Sequence, residues 1–371
     1  MKRDLAASMC LFLCTLVQGG STLLAPDNLN LVIVGLNQSN GAMTVFPERP
    51  AGEWLNLTDY VDSWSVGTLR QATQVGSEIW ISDQTAGLVY RFSAQSERPR
   101  FLGSIEGLAN PRGITIVNGE VWIACGDLPP DGGVDRRTTN GAPIASFSAE
   151  NPFDVLNFDA STVLVSNINQ NRLEKYTSVG AQAGTFVSVW GSGSSIDFPM
   201  QLLKWREGTN DRIVAVGFTG DSPGLYVYKA SDGSFVKRML TIAIFSEVTV
   251  TDPRGAALLG SGEIAWSGSQ GIFALDTTTG NSRSLYVGVN FTCNFISQVD
   301  FSKYCPGDIN NDSLVDDSDF SIFVVAYNDL LCPMLPSGYP AGCPADLNGD
   351  GMVDDSDFAI FVSGYDALLC P

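Results

Sequence analysis

Short runs of apolar residues recur along most of the chain, and each is followed by a polar turn and another apolar run. Runs of four to eight residues that are bounded by turn residues are typical of β-strands. Six of them can be aligned, and their first residues are 47, 42, 42, 50 and 51 residues apart. They are LVIVG (31–35), EIWIS (78–82), EVWIA (120–124), TVLVS (162–166), RIVAV (212–216) and EIAWS (263–267).

The period of these runs predicts a mainly β protein with a six-bladed β-propeller. Four short strands per unit at this spacing are typical of propeller blades, because one blade cannot bury both its faces and a ring of blades can. We interpret each run as the second strand of its blade; five or seven blades is the alternative. The first blade then lacks an inner strand, which NFISQVDF (294–301) would supply by closing the ring.

The last part of the chain contains a duplication of a different kind. Residues 305–332 and 343–370 align without gaps, and 18 of the 28 positions are identical. Each copy has an Asp- and Asn-rich loop followed by apolar residues three or four positions apart, the spacing of one helix face. We expect the two helices to cover each other with these faces. Their residues are Phe320, Phe323, Tyr327 and Leu330, then Phe358, Phe361, Tyr365 and Leu368.

The two loops predict a small helical domain with two calcium ions. Oxygen-bearing side chains occupy loop positions 1, 3, 5, 9 and 12, and position 7 would offer a backbone carbonyl; calcium takes six to eight oxygen ligands. The predicted ligands are Asp308, Asn310, Asp312, Leu314, Asp316 and Asp319, then Asp346, Asn348, Asp350, Met352, Asp354 and Asp357. Position 6 must turn sharply, which suits Gly351 better than Ser313, so we expect the first site to be weaker. Val315 and Val353, at position 8, suit a short pairing between the loops.

Composition excludes several kinds of chemistry. The chain has no histidine, which excludes Ser–His–Asp triads, Cys–His pairs and His-ligated zinc. Its formal net charge of −19 makes nucleic acid and anionic membranes poor partners. No basic residue follows Lys303, whereas twelve aspartates do. Calcium would offset part of that charge.

The N-terminus predicts export. It has a short basic start, an apolar run from Leu5 to Val17 and small residues after it, as secretory signal peptides do. We divide the chain into a signal peptide (1–25), the propeller (26–301) and the calcium-binding domain (302–371). The mature protein is expected to be secreted or attached at the cell surface without a membrane span. A retained anchor or an ordinary buried segment is the alternative for the N-terminal segment.

Six cysteines remain beyond the leader, and an even number in an exported chain indicates disulfides. A helix of about 12 residues is roughly 18 Å long, whereas bridged Cα atoms lie within about 7 Å. The two cysteines that flank one copy are therefore too far apart to pair. If the helices are antiparallel, each cysteine lies near one from the other copy, which predicts Cys305–Cys370 and Cys332–Cys343. Cys125 and Cys293 would pair only by default.

Two resemblances follow from these motifs. NPRGITIVNGEVWIAC and NPFDVLNFDASTVLVSN resemble the repeats of NHL-type propellers. The duplicated loop and helix, with Asp at position 12, resembles the dockerin module over residues 305–371. That resemblance implies a module that folds on binding calcium and docks onto a cohesin-like or other surface protein. It also implies that positions 10 and 11 help to select the partner; these are Asp317, Ser318, Asp355 and Ser356. The basic residues that many dockerins carry on the helix are missing from this sequence.

The propeller offers weaker signals. Asp83, Asp127 and Asn167 follow consecutive second strands and would converge on the channel as metal ligands, although Asp and Asn after a strand usually form turns. Arg112 and Arg254 recur in NPRG and DPRG, which favours a role in blade architecture over a ligand contact. The sequence thus predicts a secreted binding or display propeller held by its calcium module. The alternative is an extracellular hydrolase or lactonase of polysaccharide catabolism targeted by that module.

Overall fold

The computed structural model describes residues 21–46, 49–96, 99–127, 132–187, 196–219, 222–332 and 343–365. Within these ranges the strands form six blades around a central channel, followed by two short helices. The six-bladed propeller predicted from the repeat is therefore confirmed. No helix among the described residues is long and apolar enough to cross a membrane.

The strands of the first three blades follow one another along the chain. Blade 1 contains β1 (Thr22–Asp27), β2 (Val32–Asn37) and β3 (Glu53–Asn56). Blade 2 contains β4 (Leu69–Val75), β5 (Glu78–Asp83), β6 (Leu88–Ser93) and β7 (Phe101–Ile105). Blade 3 contains β8 (Pro111–Val117), β9 (Glu120–Cys125), β10 (Gly133–Arg137) and β11 (Pro143–Ser148). Short 3-10 helices lie at Leu57–Asp59 and Ser63–Ser65.

The other three blades repeat the arrangement. Blade 4 contains β12 (Pro152–Asn157), β13 (Thr162–Asn167), β14 (Arg172–Thr177) and β15 (Gln182–Val187). Blade 5 contains β16 (Pro199–Glu207), β17 (Asn210–Gly217), β18 (Gly224–Lys229) and β19 (Phe235–Met239). A two-stranded sheet, β20 (Ala243–Phe245) and β21 (Val248–Val250), precedes blade 6, which contains β22 (Gly255–Leu258), β23 (Ile264–Leu275) and β24 (Ser282–Thr292).

The ring is closed by a strand from the end of the propeller. β25 (Ser297–Val299) pairs antiparallel with β1 and becomes the inner strand of blade 1, as predicted for 294–301. The positions of the strands within that blade were predicted wrongly by one strand. β1 is its second strand and LVIVG, in β2, is its third. The boundary drawn at residue 25 therefore lies inside β1, and the leader up to residue 20 lies outside the described residues.

Apolar side chains from neighbouring blades form the core of the ring, including the wholly buried Trp80 and Trp122. The recurring phrase E-x-W has a physical basis. Trp80 Nε1 donates to Glu78 Oε2 at 2.7 Å, and Arg91 forms an ion pair with the same carboxylate while lying 5.8 Å from the Trp80 ring. Blade 3 repeats this arrangement with a glutamate and an arginine on Trp122. Each carboxylate thus satisfies a buried indole N–H.

Polar side chains on the inner strands join one blade to the next. Gln71 accepts the backbone N–H of Ile114, and Asp154 Oδ2 accepts that of Leu202 at 2.8 Å. Gln201 makes the equivalent contact with blade 6. These amides would otherwise be buried donors without partners, which is costly. Gly113 leaves the room this requires, because a Cβ there would lie 2.1 Å from Asp154 Oδ1.

The C-terminal segment packs against one face of the ring. A 3-10 helix (Phe301–Lys303) leads to α1 (Asp317–Asp329) and α2 (Asp355–Tyr365). Phe301 stacks on the buried Trp54, with ring centroids 5.7 Å apart. Arg100 of the propeller donates to the hydroxyl of Tyr304 at 3.1 Å and to the backbone carbonyl of Asp346. We call residues 305–332 and 343–365 the C-terminal module.

Candidate metal-binding loops and their surroundings

Each predicted calcium loop is organised around the aspartate at position 12. Asp319 Oδ1 accepts the backbone N–H groups of Ile309 and Asn310 at 2.8 and 2.9 Å, and its Oδ2 accepts that of Asp316 at 3.0 Å. This last contact belongs to a capping box, in which Asp316 caps the first turn of α1. The carboxylate therefore fixes both the loop and the start of the helix.

The second loop repeats the first. Asp357 Oδ1 accepts the N–H groups of Leu347 and Asn348 at 2.7 and 3.0 Å, and its Oδ2 accepts that of Asp354 at 2.9 Å. Asp319 and Asp357 are both 0% exposed. A carboxylate has about four lone-pair sites, so three backbone donors leave room for one further bond to each.

Position 1 is buried as well. Asp308 accepts the backbone N–H groups of Asp312 and Ser313 at 2.9 and 3.0 Å. Burial, with smaller contributions from the charges of Asp319 and Asp312, raises the pKa of Asp308 to about 6. Burial also raises the pKa of Asp346, its counterpart in the second loop. Both carboxylates lie where a negative charge is costly unless a cation accompanies it.

The sharp turns that the loops need are present in both copies. Positions 4 and 6 have positive φ: 61° at Asn311 and 73° at Ser313, then 78° at Gly349 and 89° at Gly351. Only glycine adopts this conformation without a steric cost, and asparagine tolerates it better than most residues. The expectation of a weaker first site stays a prediction, with the strained Ser313 as its physical basis.

The side chains of the loops fit a hard cation by chemistry, because carboxylate, amide and carbonyl oxygens are the ligands calcium prefers. They are not drawn to a common point. In the described part of the chain, no three His, Cys, Asp or Glu side chains are gathered closely enough to hold a metal ion. Asn310 and Asp312, at positions 3 and 5, are instead joined by a hydrogen bond of 3.0 Å. The twelve predicted ligands thus remain a prediction.

The two helices pack antiparallel across the module. Phe323 and Phe361 are 1% exposed each, and their rings stack at 5.2 Å. The rings of Phe320 and Phe358 contact these rings at tilted angles of 34° and 41° and stay about two-fifths exposed. Leu330, predicted to belong to the packing face, is 54% exposed because α1 ends there with φ of 61°. Leu368 lies outside the described residues.

The segment after α1 meets the second loop. Val353 N donates to Leu330 O at 3.0 Å, and Leu331 forms a bridge with Met352. Val353 therefore pairs with this segment and not with Val315, so the predicted pairing between loops was wrong at this position. The same juxtaposition explains the disulfide between Cys332 and Cys343, whose Cα atoms are 5.6 Å apart.

The cysteine predictions divide into three groups. Cys332–Cys343 is confirmed. Cys305 is also in a disulfide, and Cys370, its predicted partner, lies outside the described residues. Cys125 and Cys293 are buried free thiols, so the default pairing between them was wrong.

The four residues predicted to select a partner lie on the surface of the module. Asp317, Ser318, Asp355 and Ser356 are all exposed and start the two helices. The carboxylates also hold the helices together: Tyr327 donates to Asp355 at 2.6 Å and Tyr365 donates to Asp317 at 2.7 Å. The exposed ring of Phe320 or Phe358 lies one turn along from each carboxylate.

One contact of the first loop was not foreseen from the sequence. Asn311 is 1% exposed, and its side chain reaches into the propeller. Its Nδ2 donates to Val75 O and Thr139 O, both at 2.9 Å, and its Oδ1 accepts Ser77 N at 2.8 Å. The signal in the sequence was its difference from Gly349 at the same position of the otherwise similar second loop.

The channel candidates behave mainly as turn residues. Asp83 accepts the N–H groups of Gly67 and Ala86 at 2.7 and 3.1 Å, and Asn167 accepts that of Gln170 at 3.0 Å. Asp127 accepts the side-chain amide of Asn110 at 2.9 Å. The structure therefore does not gather the three into a metal site.

No protein-family model matches the chain, and no curated protein sequence matches it. Among solved structures, the chain is similar to a protein of unknown function from Bacteroides caccae, with a TM-score of 0.52 and 12% identity. The similarity covers 76% of this chain and 99% of that chain. The WD40 β-propeller domain of Doa1 aligns with a TM-score of 0.41 and 11% identity over 59% of this chain and 81% of its own, too weak to carry an argument. These likenesses concern the fold alone.

Proposed function

We propose that the C-terminal module is a dockerin-like attachment device that binds two calcium ions, and that the propeller it carries is a secreted binding or display unit. The observation that carries this proposal is the pair of wholly buried carboxylates, Asp319 and Asp357, in a segment without any lysine or arginine. Buried carboxylates need compensation by cations or by many hydrogen bonds. Calcium would supply the charge, and the loop backbone already supplies the hydrogen bonds.

Each group in the loops has a part in this proposal. Asp308 and Asp346 would hold the ion at the start of the loop, while Asp319 and Asp357 would close the loop at its end. Their contacts with backbone N–H groups orient them before the ion arrives. Calcium itself would contribute charge neutralisation within each loop.

The surface of the module supports attachment to a protein partner. Its two copies present the same set of exposed groups: an aspartate and a serine at the helix start, then a phenylalanine one turn later. The antiparallel helices relate these sets by an approximate two-fold axis. Aromatic side chains within polar surroundings are typical of binding hot spots. A cohesin-like or other surface protein would therefore find two similar docking sites.

Calorimetric titration of the metal-stripped full chain with calcium chloride tests the metal sites. We expect two equivalents for the native chain and one for Asp319→Asn or Asp357→Asn. Asp329→Asn, an exposed aspartate outside the loops, should retain two. Absence of binding in the native chain, or two equivalents in the double variant, would contradict the proposal.

Localisation tests attachment. In the source cells the native chain should stay with the surface fraction, and the Asp319→Asn/Asp357→Asn variant should be released into the medium. Equal distribution of the two chains would show that the calcium loops do not attach the protein.

A further inference from the structure

At the mouth of the channel opposite the C-terminal module, each blade contributes one side chain at the same height along the channel axis. The inner strands of blades 2 to 5 each have a register shift near their start. Such bulges re-aim side chains and are frequent next to functional sites. The side chains at this level, taken around the ring, are Phe295, Arg70, Arg112, Phe153, Met200 and Arg254. Three of the six blades thus contribute an arginine.

The arginines lie over aromatic rings. The Cζ atoms of Arg70 and Arg112 are 5.2 and 4.7 Å from the centroid of the same ring, Phe153. Arg254 lies over Phe218 at 4.8 Å. Two guanidinium groups therefore lie near the ring of Phe153, and the third lies over the ring of Phe218.

The neighbours of Arg70 and Arg112 are neutral acceptors. Arg112 is 5% exposed and donates to Asn151 Oδ1 at 2.8 Å and Pro152 O at 2.9 Å. Arg70 donates to the side-chain oxygens of Gln84 and Asn294. Neither forms an ion pair with a carboxylate in the described ranges. Asp127 is the acidic group whose charge acts on Arg112.

Arg254 is only partly compensated. Its Nη2 is 3.4 Å from Asp252 Oδ2, while its buried Nε has no hydrogen-bond partner in the described part of the chain. The three cations also act on one another. Burial, followed by the charges of Arg254 and Arg112, lowers the pKa of Arg70 to about 9. A chain with a net charge of −19 therefore concentrates repelling cations at its channel mouth.

Further aromatic side chains extend the apolar surface beside Phe153. The ring of Phe198 is 5.5 Å from that of Phe153 and 5.7 Å from that of Phe218, and both Phe198 and Phe218 are only partly buried. Phe198 has φ of 49°, which is unusual for a bulky residue and is found where function or packing requires it. Cationic groups thus stand beside accessible aromatic surface.

We propose that Arg70, Arg112 and Arg254 form an anion-binding site at the channel mouth, which takes a small organic oxyanion with an apolar or aromatic body. Guanidinium groups bind planar oxyanions through paired N–H donors, and the free donors of these arginines are available for that. The apolar body would lie against Phe198 and Phe218. The architectural contacts of Arg112 with Asn151 and Pro152 position its guanidinium for this role.

This inference rests on the proposed role of the propeller as a binding unit and gives its ligand a chemical class. Calorimetry of the calcium-loaded full chain with phenylacetate or benzenesulfonate tests it, with the neutral phenylacetamide as the matched probe. We expect saturable binding of at least one anion, and at least tenfold weaker binding of the amide. Arg70→Gln should weaken anion binding at least tenfold, whereas Arg206→Gln, an exposed arginine at the other end of β16, should leave it unchanged.

A second measurement avoids dependence on a folded variant. In the native chain, modification of the partly exposed Arg70 and Arg254 by phenylglyoxal, followed by peptide mapping, should slow when phenylacetate or benzenesulfonate is present and stay the same with phenylacetamide. Equal binding of anions and amide, or unaltered binding by a folded Arg70→Gln, would overturn the inference. The calcium titration measures binding at the C-terminal module, on the opposite face of the propeller. Either proposal can therefore fail while the other stands.

Discussion

The propeller and the C-terminal module both bury polar groups, but they satisfy them differently. In the propeller, Gln71, Asp154 and Gln201 accept amides of the neighbouring blade, so that each polar group ties two blades together. In the module, Asp319 and Asp357 accept amides of their own loops. In the first arrangement, these buried polar groups find their hydrogen-bond partners within the propeller itself. The second leaves two buried carboxylates in the module, whose charge a cation would compensate if the proposed calcium sites exist.

Core size points the same way. The ring has apolar clusters between its blades, whereas the module has one small cluster around Phe323 and Phe361. Segments this short rarely fold on an apolar core alone and are usually stabilised by disulfides or metals. The disulfide of Cys332 with Cys343 is one such link. We therefore expect the two regions to differ most when metal is removed.

The largest expected effect comes from removing calcium with EGTA. At calcium concentrations about 100-fold above the dissociation constant, each site would stabilise the module by about 2.7 kcal/mol. Without calcium, backbone amides of α1 and α2 should exchange with solvent within the shortest labelling time. Amides of inner strands such as β4 and β12 should keep their protection. Hydrogen exchange followed by mass spectrometry measures both in one sample.

Asp329→Asn provides the control for that comparison, since it removes an exposed charge from α1 without touching a loop. It should respond to calcium as the native chain does. Equal protection of α1 with and without calcium would contradict the view that the module depends on a cation.

The next largest effect is expected at Asp154, the carboxylate among the three side chains named above that join neighbouring blades. Burial raises the pKa of Asp154 to about 7, compared with about 4 in an unfolded chain. Between those values the folded state holds a proton that the unfolded state has released, so stability falls as pH rises through this window, by at most about 1.4 kcal/mol per pH unit. Asp154→Asn keeps an acceptor for Leu202 N and removes this dependence.

Urea unfolding of the β-sheet signal at pH 5 and pH 8, with calcium saturating, measures the difference. The native midpoint should be lower at pH 8, and that of Asp154→Asn should change less. Asp159→Asn, in the exposed turn after the same strand, should behave as the native chain. An identical pH response in the native chain and Asp154→Asn would show that Asp154 does not carry the effect.

The same contrast explains what the sequence could predict. Strand periodicity and loop spacing are local, so the six blades, the closing strand and the Cys332–Cys343 disulfide could be predicted from them. The positions of the strands in blade 1 could not be predicted, because Thr22–Ala25 continues an apolar N-terminal stretch that is typical of a signal peptide. Arg70 was missed because it lies in no recurring phrase, unlike Arg112 and Arg254. Its place at the channel mouth depends on how the blades meet.

A moderate effect is expected at the contact between the two regions. Asn311→Gly removes three hydrogen bonds to the propeller and leaves the N–H of Ser77 buried without its acceptor. An unsatisfied buried donor costs about 1–3 kcal/mol. The loop itself should tolerate glycine, because Gly349 occupies the same position in the second copy with φ of 78°.

Hydrogen exchange at Ser77 measures this docking directly: protection should fall in Asn311→Gly while calcium binding persists. The reciprocal change, Gly349→Asn, alters the second loop and should leave Ser77 protected. Loss of calcium binding in Asn311→Gly would mean that docking and loop formation cannot be separated.

The smallest effect is expected within the module surface. The hydrogen bonds of Tyr327 to Asp355 and of Tyr365 to Asp317 raise the pKa of both phenols, because each carboxylate accepts the phenolic proton. Asp355→Asn should therefore let Tyr327 ionise at lower pH, visible as earlier absorbance growth at alkaline pH, while Tyr365 keeps its raised pKa. Ser356→Ala, next in the chain, should leave the titration unchanged. Because both hydrogen bonds lie at the surface of the module, global stability should hardly change in either variant. An unchanged titration in Asp355→Asn would show that these helix-to-helix contacts do not persist in solution, leaving the aromatic stack of Phe323 on Phe361 to hold the helices antiparallel.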